Sequence, residues 1–189
     1  MEIRDKDGKV MLVLKTNNDE SSVSEREKVF SKGVDLEAVN LKRADLRNAN
    51  LEYGQLDSAD LSEADLQGAR LGMANMGSTN FSRANLRNAD LYGSFLNMAN
   101  FEEANLEGAN LQGANLIQAN LRGANLTNAN LSPDNMGVET SLHSADLSGA
   151  KVDGAIFDQA RYDKLTVFPE GFNPKEHDMT METGDNRPI

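Results

Sequence analysis

Side chains suited to acid–base or nucleophilic chemistry are scarce. Two histidines, His143 and His177, occur in 189 residues, and there is no cysteine. Ser141 stands two residues before His143, and Ser144 follows it directly. An imidazole at that spacing could take a hydroxyl proton if both side chains pointed the same way. A working nucleophile also needs a group that orients the base, and the 141–144 stretch supplies none, so a surface role is expected. Without thiolates or clustered imidazoles, no transition-metal site is expected. Asp60, Asp65, Asp90 and Asp146 all fall in one recurring slot of the sequence, which marks them as structural. Gly8–Lys9 lacks the spaced preceding glycine of a phosphate loop. The expectation is a chain that is not an enzyme, with no catalytic residues, no cofactor and no metal.

That recurring slot belongs to a repeat. From Val34 to Pro133 the sequence reads as 20 uninterrupted five-residue units, VDLEA, VNLKR, ADLRN, ANLEY and so on to ANLSP. The unit centres run from Leu36 to Leu131: 17 are Leu, two are Phe (Phe81, Phe101) and one is Met76. Two residues before the centre, 15 of 20 are Ala; directly before it, 17 of 20 are Asn or Asp. After Pro133 six residues, Asp134 to Glu139, shift the phase by one. Units then resume at Leu142, Leu147, Val152, Phe157 and Tyr162. Counting Met136 as a centre gives about 26 units across roughly residues 34–164.

A period of five fits neither helix nor flat strand. In a helix, five-residue steps turn by about 140°, which would spread the Leu positions around the axis. In a strand, residues five apart face opposite sides. The pattern works if each unit holds one short extended piece and one corner. Ala and Leu, two apart, then point inward, while Asn, Asp and Gly occupy the bend. Coils stacked in this way pair their backbone groups with the coils above and below.

The repeated A(D/N)LXX resembles the pentapeptide-repeat proteins over about 130 of the 189 residues. That resemblance implies an all-β solenoid, a right-handed quadrilateral β-helix with four units and 20 residues per coil. Phe81 and Phe101, 20 apart, would then stack. On this register one column runs Leu41, Leu61, Phe81, Phe101, Leu121, Leu142, Tyr162, and Arg43, Glu63, Arg83 and Glu103 form an outer column of alternating sign.

A solenoid needs capped ends. Residues 1–33 are expected to form the N-terminal cap. Glu2–Arg4 and Lys9–Leu14 read as a β-hairpin turning at Asp7–Gly8. Ser22 and Glu25 form a capping box for a short helix from about Val23 to Ser31, with Val23, Val29 and Phe30 available to cover the first coil. The β-helix domain is set at 34–168, and 169–189 form a C-terminal cap and tail. Phe168 and Phe172 are expected to fold over the last coil, and 175–189 to be disordered. The stretch FPEGFNP resembles a tail of some cyanobacterial members.

Net charge −11 argues against direct nucleic-acid or anionic-membrane binding. The apolar run Val10–Leu14 is too short for a signal core or a membrane span, and a cytoplasmic location is expected. The outer surface between 104 and 131 carries one acid, Glu107, and one base, Arg122. One face departs from polarity. The centres Leu36, Leu56, Met76, Leu96, Leu116, Met136 and Phe157 define it, and Phe95, Met98, Ile117, Val138 and Ile156 form a candidate interaction stripe along it. Phe95 is a bulky aromatic where the repeat favours Asn or Asp. Such stripes mark contacts or lie under the chain's own segments. The expected function is a non-catalytic protein-interaction scaffold with an unidentified protein partner and self-association through the stripe. The resemblance implies an alternative: some pentapeptide-repeat proteins bind DNA gyrase as DNA mimics and protect it from quinolones.

Overall fold

The computed structural model describes residues 2–5, 10–13 and 33–183. Through the repeat, each residue that precedes a unit centre makes a parallel bridge to the residue 20 positions on: Asp35 to Gln55, Asn40 to Asp60, Asp45 to Asp65 and Asn50 to Arg70. One coil therefore has four walls of one unit each. The first wall runs Asp35, Gln55, Asn75, Phe95, Asn115, Ser141, Arg161. The second starts at Asn40, the third at Asp45 and the fourth at Asn50.

The unit 60–64 shows why the sequence repeats as it does. Asp60 N–H donates back to Val39 C=O (3.0 Å), and Leu61 N–H donates forward to Asn80 C=O (2.8 Å). Glu63 N–H donates forward to Ser82 C=O (2.9 Å), and Ala64 N–H closes the turn onto Leu61 C=O (3.1 Å). Only the residue after the centre lacks a backbone acceptor. Ser62 N–H is taken by Asp60 Oδ1 at 3.0 Å, an Asx turn. The same bond recurs from Lys42 to Asn40 (3.0 Å), Tyr92 to Asp90 (3.1 Å), Glu102 to Asn100 (3.1 Å) and Ile117 to Asn115 (3.1 Å). The third residue of each turn is left-handed, as at Arg43 (φ 61), Glu63 (φ 59) and Arg83 (φ 58), the conformation a type II turn requires at that point.

The interior is a set of Leu columns beside Ala. Every centre from Leu36 to Leu131 is at most 2% exposed. Phe81 and Phe101 stack with centroids 4.9 Å apart and planes 6° apart, as their 20-residue spacing predicts. Where a hydroxyl replaces Ala it is satisfied internally: Thr79 donates to Leu56 C=O (2.6 Å) and Ser94 to Leu91 C=O (2.7 Å).

Outside the core the slot residues form ladders with a direction. On the second wall Asn80 Nδ2 donates to Asp60 Oδ1, Asn100 to Asn80 and Asn120 to Asn100. On the third wall Asn85 donates to Asp65, and on the fourth Asn110 donates to Asp90. Each carboxylate sits at the accepting end, since ionised Asp has no proton to give. The outer pairs Arg43–Glu63 and Arg83–Glu103 both close at 2.7 Å.

The register beyond Pro133 corrects the sequence-based reading. Asn115 bridges Ser141, Asn120 bridges Asp146, Asn125 bridges Lys151 and Asn130 bridges Ile156. The extra six residues are extruded at the corner between the fourth and first walls. Met136 is therefore no unit centre; it is 76% exposed. The Leu121 column continues to Leu147, not Leu142, and Leu142 follows Leu116. Phe157 continues the Leu131 column, not that of Leu116.

At the start, β1 (Glu2–Asp5) and β2 (Val10–Val13) pair antiparallel, the expected hairpin strands. β1 also pairs antiparallel with β3 (Ala44–Asp45) of the first coil. The hairpin turn, the capping box and the helix over 23–31 lie outside the described residues. At the other end Phe168 and Phe172 cover the last coil: Phe172 packs edge-on against Phe157 (5.2 Å), and Phe168 against Tyr162 (5.3 Å). The expected disorder from 175 does not hold as far as 183. A 3-10 helix (Pro174–His177) stacks His177 on Phe172 at 4.4 Å. β5 (Thr180–Met181) then pairs in parallel with β4 (Arg161–Tyr162).

The ladder direction gives an asymmetric mutational result. Asp60→Asn keeps the acceptors that Ser62 and Asn80 use and should move stability by less than about 0.5 kcal/mol. Asn100→Asp loses its donor and turns an anion toward Asn80 Oδ1, and should cost about 1–2 kcal/mol. Urea unfolding of the two variants at neutral pH checks the difference.

Candidate interaction surface

The first wall carries the stripe, and the structure divides its five residues. Phe95 (49% exposed) and Met98 (58% exposed) belong to one unit at the middle of the wall. Ile117 is partly exposed in the next coil, where its carbonyl accepts Met98 N–H at 2.8 Å. These three stay together. Val138 (50% exposed) lies instead on the extruded corner loop. Ile156 lies on the fourth wall beside Asn130, away from Phe95, because the coil that contains the insertion is six residues longer than the repeat.

Phe95 is costly to the fold at its position. Its slot should supply the oxygen that accepts the N–H two residues on, here that of Asn97, and a phenyl ring has none. The ring is also half exposed, so it adds little to the core.

The corner loop is held firmly. Asp134 Oδ1 accepts Val138 N–H (2.7 Å) and Met136 N–H (2.9 Å). Tyr92 Oη lies 3.2 Å from Asp134 Oδ2 and 2.8 Å from Asn135 Oδ1. The Val138 N–H, with those of Met136 and Gly137 and the Tyr92 hydroxyl, holds the Asp134 carboxyl below the usual carboxylate range despite burial. Thr140 takes the buried Ala slot, donates to Leu111 C=O (3.0 Å) and accepts Gly113 N–H (3.0 Å). The loop thus presents Met136 and Val138 on a fixed stem.

Farther along the wall is a network that the sequence did not reveal. Ser141 Oγ lies 2.6 Å from His143 Nδ1, and His143 Nε2 lies 2.8 Å from Glu182 Oε2. Glu182 also accepts from Arg161 Nη1 (2.8 Å), and Arg161 Nε reaches Glu139. A hydroxyl, an imidazole and a carboxylate in line have the connectivity of a hydrolytic triad. Here Ser141 N–H is committed to Ala114 C=O and Leu142 N–H to Arg161 C=O, so neither of these two is free to bind an oxyanion. What the network does is tie β5 to the wall. Glu182 was undetectable from sequence because it sits in a polar tail, 39 residues from His143.

Asp163 makes a second tie. Burial would raise its carboxyl, but the Ser144 N–H and hydroxyl, the Thr166 hydroxyl and the Leu165 N–H outweigh burial and bring it down to about 2.

Among the described residues no helix is long and apolar enough to cross a membrane, and no group of three or more His, Cys, Asp or Glu is placed to hold a metal ion. The family model for pentapeptide repeats matches residues 32–68, 59–97 and 99–132, in eight copies. This chain belongs to the pentapeptide-repeat family. Three solved members show its range. HetL, a pentapeptide-repeat protein involved in heterocyst differentiation regulation in the cyanobacterium Nostoc sp. strain PCC 7120, is 27% identical; the match covers 85% of this chain and 77% of that one, with a TM-score of 0.47. Rfr23 from the cyanobacterium Cyanothece 51142 is 27% identical, with 72% and 85% covered and a TM-score of 0.45. QnrB1, a plasmid-mediated fluoroquinolone resistance protein, is 20% identical, with 80% and 91% covered and a TM-score of 0.47. Comparison with curated proteins found no match. In this pentapeptide-repeat chain the apolar departures from the repeat, Phe95 and the Met136 and Val138 of the 134–139 loop, fall on or beside one wall.

The depressed Asp163 carboxyl sets a pH dependence. Its contribution is complete above the unfolded value of about 3.9 and is lost as pH falls through about 2. Asp163→Asn should therefore be less stable than the parent at pH 7. The gap should narrow between about pH 4 and pH 2, as read by thermal unfolding across that range.

Proposed function

We propose that this chain is a non-catalytic protein-interaction scaffold that uses its first wall as the contact surface. The body is read as a right-handed quadrilateral β-helix of about 25 units, counted from the sequence with Met136 left out as a centre. The β1–β2 pair closes one end, and the segment 169–183 closes the other. The observation that carries the reading is Phe95. The fold prefers Asn or Asp in that slot, and Phe95 gives up the Asx acceptor while leaving half its ring in water. A residue that breaks the local rule without helping the core is best explained by what it touches from outside. Ile117 and Met98 enlarge the same surface.

The DNA-mimic reading is weaker. It would need an uninterrupted acidic track, yet on the second wall Glu63 is matched by Arg43 and Lys42, and Glu103 by Arg83.

Phe95→Asn separates fold from function. Restoring the acceptor for Asn97 N–H should leave stability unchanged or raise it by about 0.5–1 kcal/mol. The double variant Phe95→Asn, Ile117→Asn should lose association, measured as self-association and as capture of partners from native extract. Unchanged association in both assays would remove the first wall as the interface.

A further inference from the structure

We propose that the first wall binds a second copy of this chain, with the two walls face to face and their coil axes antiparallel. The proposal rests on the interaction-wall reading above and names the occupant.

Phe95 is the fourth of the seven slot residues along the wall, with three coils on either side. A two-fold axis passing there, parallel to the strands, would return each slot onto its mirror level: Asn75 over Asn115, Gln55 over Ser141 and Asp35 over Arg161. Self-complementarity under that operation is what an isologous contact requires, and three features of the surface meet it.

First, the apolar residues match. Tyr53 (45% exposed) and Met73 (39% exposed) lie at the corner between the fourth and first walls, below the Phe95 level. Met136 and Val138 project from the same corner above that level. The two-fold sets the loop of each copy against Tyr53 and Met73 of the other and leaves Phe95 and Met98 around the axis. Second, the wall from 73 to 118 carries no charged residue, whereas over the same coils the second wall holds Arg83, Glu102, Glu103 and Arg122 and the third holds Arg87 and Glu107. Two chains of net charge −11 repel through their other faces and can meet most closely here. Third, the antiparallel arrangement sets Asp35 opposite Arg161 and Asp57 opposite His143, although Glu37 then faces the ionised Asp163, a repulsion that subtracts from these pairings. A parallel pair would set Asp35, Glu37 and Asp57 against themselves.

The absence of cysteine from the chain makes the test direct. Asn97→Cys, exposed in the central unit of the wall with Phe95 left in place, should form a disulfide-linked dimer under mild oxidation, and Thr127→Cys on the third wall should not. Sedimentation equilibrium of the parent chain should show a reversible dimer in equilibrium with monomer in the micromolar range. Tyr53→Asp should weaken it by about tenfold or more, because the two-fold repeats the lesion. A parent chain that stays monomeric to about 200 µM, or equal cross-linking at 97 and 127, overturns the proposal. If the parent is monomeric while Phe95→Asn, Ile117→Asn still abolishes capture of another protein, the dimer falls and the interaction wall stands.

Discussion

Each five-residue unit leaves one backbone N–H without a backbone acceptor, that of the residue after the centre. The rest of the structure depends on how that hydrogen is satisfied. An Asn or Asp two residues earlier is the right length to accept it, and the resulting Asx turn sets the corner. The same side chain then has a second task. Asn can accept with Oδ1 and donate with Nδ2 to the coil before it, which Asp cannot do. This difference explains why Asp60, Asp65 and Asp90 are each followed 20 residues later by Asn80, Asn85 and Asn110, whose amides donate back to them. The abundance of Asn is a hydrogen-bonding requirement of the coil.

The forward and backward bonds also fix the perimeter. Every coil must present its donors and acceptors in register with its neighbours, so extra residues cannot be absorbed along a wall. The insertion at 134–139 is pushed out at a corner, where Asp134 gathers its N–H groups. Thr140 replaces the lost Ala at the re-entry, and its hydroxyl repairs contacts to Leu111 and Gly113. The C-terminal end follows the same rule: Thr180 N–H donates to Ala160 C=O and Glu182 N–H to Tyr162 C=O. A short strand in a polar tail thereby continues a ladder begun by the repeats.

Much of this was legible in the residues. The five-residue period and the Phe81–Phe101 spacing give the coil, Arg43 and Glu63 their pairing, and Phe168 and Phe172 their place as a lid. What was hidden depended on partners far along the chain. Met136 has the side chain of a unit centre, and nothing local distinguishes an apolar residue turned inward from one on an extruded loop. That ambiguity moved the columns after Pro133 by one unit and placed Ile156 in the stripe. Met179 to Glu182 look like unstructured tail because strand formation there draws on backbone pairing with β4 and on Arg161 and His143, not on apolar pattern. The stripe was half readable. Phe95, Met98 and Ile117 follow from the undisturbed register, whereas Val138 needed the loop.

A repeating backbone frees its walls to differ. The second and third walls place exposed ion pairs at their outer positions, where solvent screening leaves each pair with little net effect on stability. They are exchangeable decoration around a ladder that would stand without them. The first wall is different. Its central coils have no charge, and its central slot lacks the Asx acceptor that the Asn and Asp slots supply. Selection for folding alone would restore Asn at Phe95, since the substitution recovers a hydrogen bond and hides an apolar ring from water. A residue disfavoured by the fold that is also unfavourable in solvent is in a low-energy state only when something covers it. The uncharged wall around it defines how large and how apolar that cover must be.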